Sequence, residues 1–305
     1  MDKSTIRYIL QKPCRLFGTL GSKGYLKWMP DRMYLKILGR YSLGYSLNIE
    51  QPRTFNEKLN WLKLYDRKSR YSSMVDKYGV REYVKEKLGE EYLVPLVGGP
   101  WNSPEEIDFD ALPEQFVLKP THDSGMLVFC RDKSRLDIPA ARAKLKKSLK
   151  REYYYGGREW PYKNVVPRII AEKFMQDSDN VNLPVYKIFC FNGEPKIIQT
   201  IQNDKTPQES IDYFDTDWKL LDLRQSFPNS AIPMARPEKL EEMLSLARKL
   251  TAGVAFLRAD FYSINGRVYF SELTFYSDSG MGPFDPPQWD EILGSWIELP
   301  REKTV

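Results

Sequence analysis

Residues 258–275, RADFYSINGRVYFSELTF, carry Arg258, Asp260 and Glu272 at positions where a strand would otherwise hold apolar side chains. Acids on such strands are rarely left unpaired, because an isolated carboxylate is costly to bury. Two carboxylates held close together suit Mg2+, and an arginine beside them suits a phosphate or a developing oxyanion. The flanking Leu257, Phe261, Tyr262, Val268, Tyr269, Phe270 and Leu273 fit a period of two and predict a β-hairpin turning at Ile264-Asn265-Gly266.

Register decides whether the three charged groups meet. A tight Asn265-Gly266 turn followed by a regular ladder pairs Asp260 with Ser271 and sends Glu272 to the opposite face. A three-residue loop 264–266, with Gly266 left-handed, pairs Ser263 with Arg267, Asp260 with Phe270 and Arg258 with Glu272. All three groups then share a face. A cation site requires that loop or an equivalent bulge nearby. The other reading is a structural Arg258–Glu272 ion pair with Asp260 solvated; the hairpin alone leaves both open.

Further elements lie upstream. Residues 116–120, FVLKP, read as a short strand ending in Lys119, and Thr121-His122-Asp123-Ser124-Gly125 as a polar turn whose amides can face a phosphate. Residues 126–130 are a second strand. Residues 168–175, RIIAEKFM, end a strand in Glu172, and residues 186–199 form a hairpin around Asn192-Gly193 with Lys187 in its first strand. Each piece alone is ordinary.

Their order is not. Lys77 in VDKY, Lys119 in FVLKP with its THDSG turn, Glu172 in IIAEKFM, Lys187 in VYKIFCFNGE, Arg258 and Asp260 in RADF, and Glu272 in SELTF together resemble the ATP-grasp superfamily. The chain looks like its TupA-like branch, linked to teichuronopeptide and other surface polysaccharide biosynthesis, over residues 54–300. D-alanine:D-alanine ligases are a more distant likeness. The resemblance implies an α+β ATP-grasp fold, two lobes sandwiching ATP. It implies that Lys77, Lys119 and the turn residues Thr121, Ser124 and Gly125 contact phosphates, that Glu172 and backbone near Phe174 and Met175 meet the adenine, that Asp179 holds the ribose, and that Lys187 is another nucleotide contact. Asp260 and Glu272 would hold Mg2+, with Thr274 where the family usually has asparagine, and Arg258 would face the oxyanion of the tetrahedral intermediate. The D-alanine ligases open with an α/β domain, and residues 1–75 here show no such strand alternation.

Composition agrees with a soluble multi-lobed enzyme: 42% hydrophobic and 29% charged over 305 residues. No apolar run approaches the roughly 20 residues that span a bilayer, and no signal-peptide pattern opens the chain, so a cytoplasmic protein is expected. Cys14, Cys130 and Cys190 lack metal spacing and read as free thiols. His122 is the only histidine, which leaves little room for a Ser-His-Asp or Cys-His unit.

Residues 1–70 hold 15 Lys+Arg against 5 Asp+Glu. With Tyr8, Phe17, Tyr25, Trp28, Met29, Tyr34, Leu35, Ile37 and Leu38, they predict either an ordinary helical subdomain or a basic-aromatic surface able to touch anionic lipid of the inner membrane. No nucleic-acid-binding motif is present. Residues 142–163 form a second basic-aromatic segment. Tyr153, Tyr154, Tyr155 and Trp160 there can stack on sugars while Lys146, Lys147, Arg151 and Arg158 attract uronates, or the segment is a solvated lid helix over packed tyrosines. Ser279 and Gly280, in the small-residue loop after Glu272, suit backbone contacts to an acyl group.

The expected organisation is a basic helical region 1–75, a connector 76–113, a small lid lobe 114–175 and a large central-sheet lobe 176–305. The expected activity is ATP- and Mg2+-dependent ligation of an amino acid or amine to a uronic acid of a surface polysaccharide or its precursor. Two alternatives are open to the sequence. Asp215-Thr216-Asp217 fits the Asp-x-Asp of a sugar-nucleotide glycosyltransferase but reads as a polar turn, and a non-catalytic membrane-associated scaffold would not need Lys119, Asp260 and Glu272.

Overall fold

The computed structural model describes residues 13–177, 183–204 and 206–304. Helices α1 (Pro13–Ser22), α2 (Asp31–Leu43), α3 (Phe55–Tyr65), α4 (Arg70–Val75) and α5 (Val80–Lys87) come first. The start of α3 is written in Thr54-Phe55-Asn56-Glu57: the Thr54 hydroxyl accepts from Glu57 N–H and the Glu57 carboxylate accepts from Thr54 N–H, a reciprocal capping box.

A four-stranded antiparallel sheet follows, built from β1 (Leu96–Trp101), β2 (Phe116–Pro120), β3 (Val128–Cys130) and β4 (Ile169–Lys173) in the order β1-β4-β2-β3. Helix α6 (Ile138–Leu149) covers one face. Phe116, Leu118, Ile169 and Ala171 point to that face and pack with Ala141 and Leu145. Strand alternation therefore turns Val117, Lys119, Ile170 and Glu172 to the other face. Residues 100–113, expected as an irregular connector, supply Ile107, Phe109 and Leu112 to this core.

After the one-turn helix α7 (Tyr154–Gly157), the larger sheet holds β5 (Val185–Phe191), β6 (Glu194–Gln202), β7 (Ser210–Phe214), β9 (Phe256–Ile264) and β10 (Arg267–Thr274), antiparallel in the order β10-β9-β5-β6-β7. A two-stranded ribbon joins β8 (Arg224–Gln225) to β11 (Phe284–Asp285). Helix α8 (Leu240–Thr251) buries Leu240, Met243, Leu244, Ala247 and Leu250 at helical spacing and is followed by Gly253 at φ 73°. Helix α9 (Gln288–Trp296) packs on α3.

Helices α2 to α4 share one continuous core with the large sheet. Phe55 of α3 meets Phe256 edge-on at 4.9 Å and lies against Phe191 and Phe284. That aromatic layer covers one end of the sheet face bearing Phe256, Arg258 and Asp260, and the charged pair sits beyond it. Residues 154–164 leave the small sheet and pack against α1 and α4.

Candidate active site

The β9–β10 hairpin turns tightly: Ile264 pairs with Arg267, and Asn265 and Gly266 are both left-handed, at φ 48° and 71°. The three-residue loop is therefore corrected, because Asn-Gly matches the twist of a two-residue turn. The bulge comes five residues later. Phe270 pairs with Phe261, Ser271 is the extra residue, and Glu272 pairs with Asp260 and Thr274 with Arg258. A regular ladder would have put Glu272 opposite Ala259, on the face packed by α8. With the bulge, Arg258, Asp260, Glu272 and Thr274 share a face.

Lys187 pairs with Asp260 on the next strand and Gln199 with Lys187 beyond it, so a polar row crosses the sheet. Arg258 Nε and Nη2 donate to the two Asp260 oxygens at 2.7 Å each, and Nη2 also donates to Glu272 Oε1 at 3.3 Å. Asp260 is 1% exposed. Burial pushes its carboxyl up, against the pull of Arg258 and Lys187. Burial also opposes ionisation of Glu272, but Arg258, Lys77 and Lys187 outweigh it and hold that carboxyl down. Burial followed by Arg258 lowers the Lys187 ammonium.

On the small sheet, Lys119 Nζ lies 2.5 Å from Glu172 Oε2, and Arg81 Nη1 lies 3.5 Å from Glu172 Oε1. Burial alone would lower Lys119. Glu172, with a further contribution from Glu272, holds it above its ordinary value. Lys77 donates through its main chain to Thr121 O and through Nζ to Asp123 O; burial lowers its ammonium, opposed by Glu272. Lys77, from the turn between α4 and α5, and Lys119, Lys187 and Arg258 from the two sheets thus converge with Glu172, Asp260 and Glu272. Such a constellation suits a polyphosphate.

The 121–125 turn is anchored rather than free. Asp123 Oδ2 accepts from Ser148 Oγ at 2.6 Å, and His122 Nε2 donates toward the Ser148 and Arg151 carbonyls at 3.1 Å each. Burial lowers the His122 imidazolium, so this histidine is a neutral strut. Thr121 is corrected: it is fully enclosed, and its N–H already donates to Arg168 O. Ser124 and Gly125 remain at the exposed tip, where Gly125 has φ 89°.

The substrate assignment of Arg158 is corrected as well. Arg158 is 1% exposed, donates to Leu26 O at 2.6 Å and packs over Tyr34 and Tyr155. Tyr155 lies under Lys27, Tyr154 donates to Asp31, and Trp160 packs against the large core. Among the described hydrogen bonds and ion pairs, those of Arg258, Asp260 and Glu272 do not reach Tyr155, Arg158 or Trp160. Tyr153 and Tyr162, 4.6 Å apart, are instead the tyrosines that feel Glu159 and Glu272.

Ser279 and Gly280 lie on a 3-10 turn (Ser277–Gly280) in which Asp278, Ser279 and Gly280 are all left-handed, at φ 45°, 54° and 57°. Gly280 adopts that conformation freely, but the non-glycine Asp278 and Ser279 are costly there unless their surroundings fix them. Helix α3 does so: Asn56 Nδ2 donates to Gly282 O, Asn60 Nδ2 to Gly280 O, and Lys63 Nζ to Ser279 O. Sequence reasoning missed this trio; its signal was the i, i+4, i+7 spacing of polar residues on one face of α3.

Phe174 and Met175 follow β4, half-buried, with Arg131 over the Phe174 ring. Asp179 lies outside the described residues. Asp215 Oδ1 accepts from the N–H groups of Asp217 and Lys219, a local turn that accounts for the Asp-x-Asp. Cys130 and Cys190 are buried free thiols, Cys190 pushed up to about 12 by burial. No helix among the described residues is long and apolar enough to cross a membrane. A depression of about 560 Å3 lined by Val97, Gln115, Arg131, Lys173 and Phe174 contains none of the converging charges.

Among the described residues no three His, Cys, Asp or Glu side chains form a metal cage. Two carboxylates with a neighbouring threonine still fit Mg2+, which is usually held by one or two carboxylates together with substrate phosphates.

Residues 57–298 match the TupA-like ATP-grasp family, and the chain belongs to it. No curated protein matches the sequence significantly. Among solved structures it is similar to the ATP-grasp ligase PsnB complexed with a phosphomimetic precursor variant, Mg and ADP, at 13% identity and TM-score 0.39, covering 72% of this chain and 57% of that one. It is also similar to the D-alanine–D-alanine ligases of Bacillus anthracis (17%, TM-score 0.37, covering 73% and 59%) and Helicobacter pylori (15%, TM-score 0.39, covering 74% and 61%). The chain thus spans about three fifths of the length of these structures.

Proposed function

We propose that the protein is an ATP- and Mg2+-dependent carboxylate–amine ligase that joins an amino acid or amine to a uronic acid of a surface polysaccharide or its precursor. The observation carrying this reading is the convergence of Lys77, from the turn between α4 and α5, and of Lys119 and Glu172 on the small sheet with Arg258, Asp260, Glu272 and Lys187 on the large one. Membership of the TupA-like family supports the nucleotide, and that branch's link to surface polysaccharides supports the saccharide.

In this reading Lys77, Lys119 and Lys187 hold the phosphates, with Ser124 and Gly125 at the turn, while Glu172 and the backbone of Phe174 and Met175 meet the adenine. Asp260 and Glu272, with Thr274 beside them, hold Mg2+, which neutralises phosphate charge when bound. The substrate carboxylate attacks the γ-phosphorus and releases ADP, giving an acyl phosphate. The amine then attacks the acyl carbon and expels inorganic phosphate, leaving an amide. Arg258 keeps its two Nη1 hydrogens outside its bonds to Asp260 and Glu272 and directs them at the tetrahedral oxyanion. Ser279 and Gly280, whose carbonyls are pinned by α3, shape the acyl side. Positioning and charge neutralisation carry such chemistry more than a strong base does.

The test is phosphate release from ATP and Mg2+ across a matrix of amino acids and uronic acid donors. Release that requires one donor and one amine together supports ligation. Release indifferent to both refutes it.

A further inference from the structure

The outward half of α2 is divided into two rows. Arg32, Lys36 and Arg40 recur every four residues, and Met33, Ile37 and Tyr41 form the adjacent row, while Tyr34, Leu35, Leu38 and Gly39 face the core. Met33 is 47% and Tyr41 51% exposed, and Trp28, just before the helix, is 72% exposed. Large apolar side chains this exposed in one region mark an interaction surface.

Charge identifies the partner. Glu50 is the only carboxylate paired with Arg32 or Lys36 among the described ion pairs, and it serves both. Residues 13–50 contain six Lys+Arg against two Asp+Glu. A second copy docked through this face would bring cation rows together. An anionic bilayer surface offers what the face lacks: negative headgroups for the cation row and an acyl boundary for Trp28, Met33 and Tyr41. Exposed tryptophan beside lysine and arginine is the composition of such an interface.

We propose that Trp28, Met33 and Tyr41, with Arg32, Lys36 and Arg40, dock the protein on an anionic lipid surface. The face is separate from the candidate active site, so its test does not depend on the ligase reading. The full chain is sedimented with phosphatidylcholine vesicles containing or lacking phosphatidylglycerol, at low and high salt. Binding is expected only with the anionic lipid and is weakened by salt. Lys36→Gln with Arg40→Gln should lower the partition coefficient by roughly 30-fold, a factor of about five per cation. Trp28→Ser should lower it further without changing the melting temperature, since the side chain is exposed. Lys249→Gln with Arg301→Gln, elsewhere on the surface, should leave it unchanged. Absent or equal binding to both vesicle types overturns the proposal. So does undiminished binding by the α2 variants, or a dimer that Trp28→Ser dissolves without any vesicle binding.

Discussion

The ammonium of Lys63 lies 2.6 Å from the main-chain carbonyl of Ser279 and 2.8 Å from that of Gly157, tying α3 at once to the loop after Glu272 and to the 154–164 segment. Lys63 is fully enclosed, and burial lowers it to about 8 despite the nearby Glu159. The unfolded lysine titrates near 10.4. Between those values the unfolded chain binds the extra proton, so this residue makes stability rise with pH from about 8 upward. The buried Cys130 and Cys190 thiols, raised by burial, work in reverse from pH ~8.5 and buried tyrosines above pH ~10, so the Lys63 contribution is read between pH 8 and about 9.5 as the difference between wild type and Lys63→Met. In urea titrations the stability of wild type over Lys63→Met should grow by on the order of 1–2 kcal/mol across that window. At pH 7 the variant should lose about 2–4 kcal/mol, because two or more buried carbonyls lose their donor. A wild-type pH slope retained by the variant would assign it to other groups.

Asp260→Asn and Glu272→Gln should each cut ligation at least about 100-fold, given that even outer-shell changes around a metal cost 10–100-fold. The fold should hold: in either variant Arg258 keeps one of its two carboxylate partners. Phosphate release at saturating Mg2+, with thermal melts as the control, separates the outcomes. Near-normal release in both variants would make the carboxylates structural.

The hairpin was legible because its strands alternate cleanly and Asn-Gly fixes its turn, yet the device that aligns Glu272 with Asp260 was not. Nothing in Phe270-Ser271-Glu272 distinguishes a bulged serine from a paired one; the need for a bulge followed only from requiring the acids to meet. Lys119 and Glu172 were legible as ends of short apolar strands. Arg158 was misread because a basic residue among tyrosines looks the same whether it awaits a uronate or is buried beneath Tyr34. Lys63 escaped notice for a related reason: a lysine on a helix is ordinarily solvated, and only the tertiary approach of residues 279 and 157 gives its charge partners.

Lys119→Ala should remove most of the stabilisation that ATP with Mg2+ confers. A ligand at a hundred times its dissociation constant adds about 2.7 kcal/mol to the folded state. Losing the ammonium leaves Glu172 with Arg81 at 3.5 Å, so the apo protein should remain folded. Calorimetry with and without nucleotide reads both effects, and an undiminished shift in the variant would remove Lys119 from the nucleotide site.

Arg158→Met separates architecture from recognition. The guanidinium sits between Leu26 O, at 2.6 Å, and the rings of Tyr34 and Tyr155, at 4.4 and 5.0 Å, with Asp31 at 3.7 Å. Removing it strands a buried carbonyl and deletes cation–π contacts, which together should cost about 2–4 kcal/mol. Asp31 still keeps Arg67 at 2.8 Å, so collapse is not expected. Under the proposed ligase reading, KM for the uronic acid donor should stay within about threefold of wild type, less than the roughly tenfold that 1.4 kcal/mol of lost binding represents. A large KM increase with unchanged melting temperature would return Arg158 to the substrate site, contrary to its burial beneath the N-terminal helices.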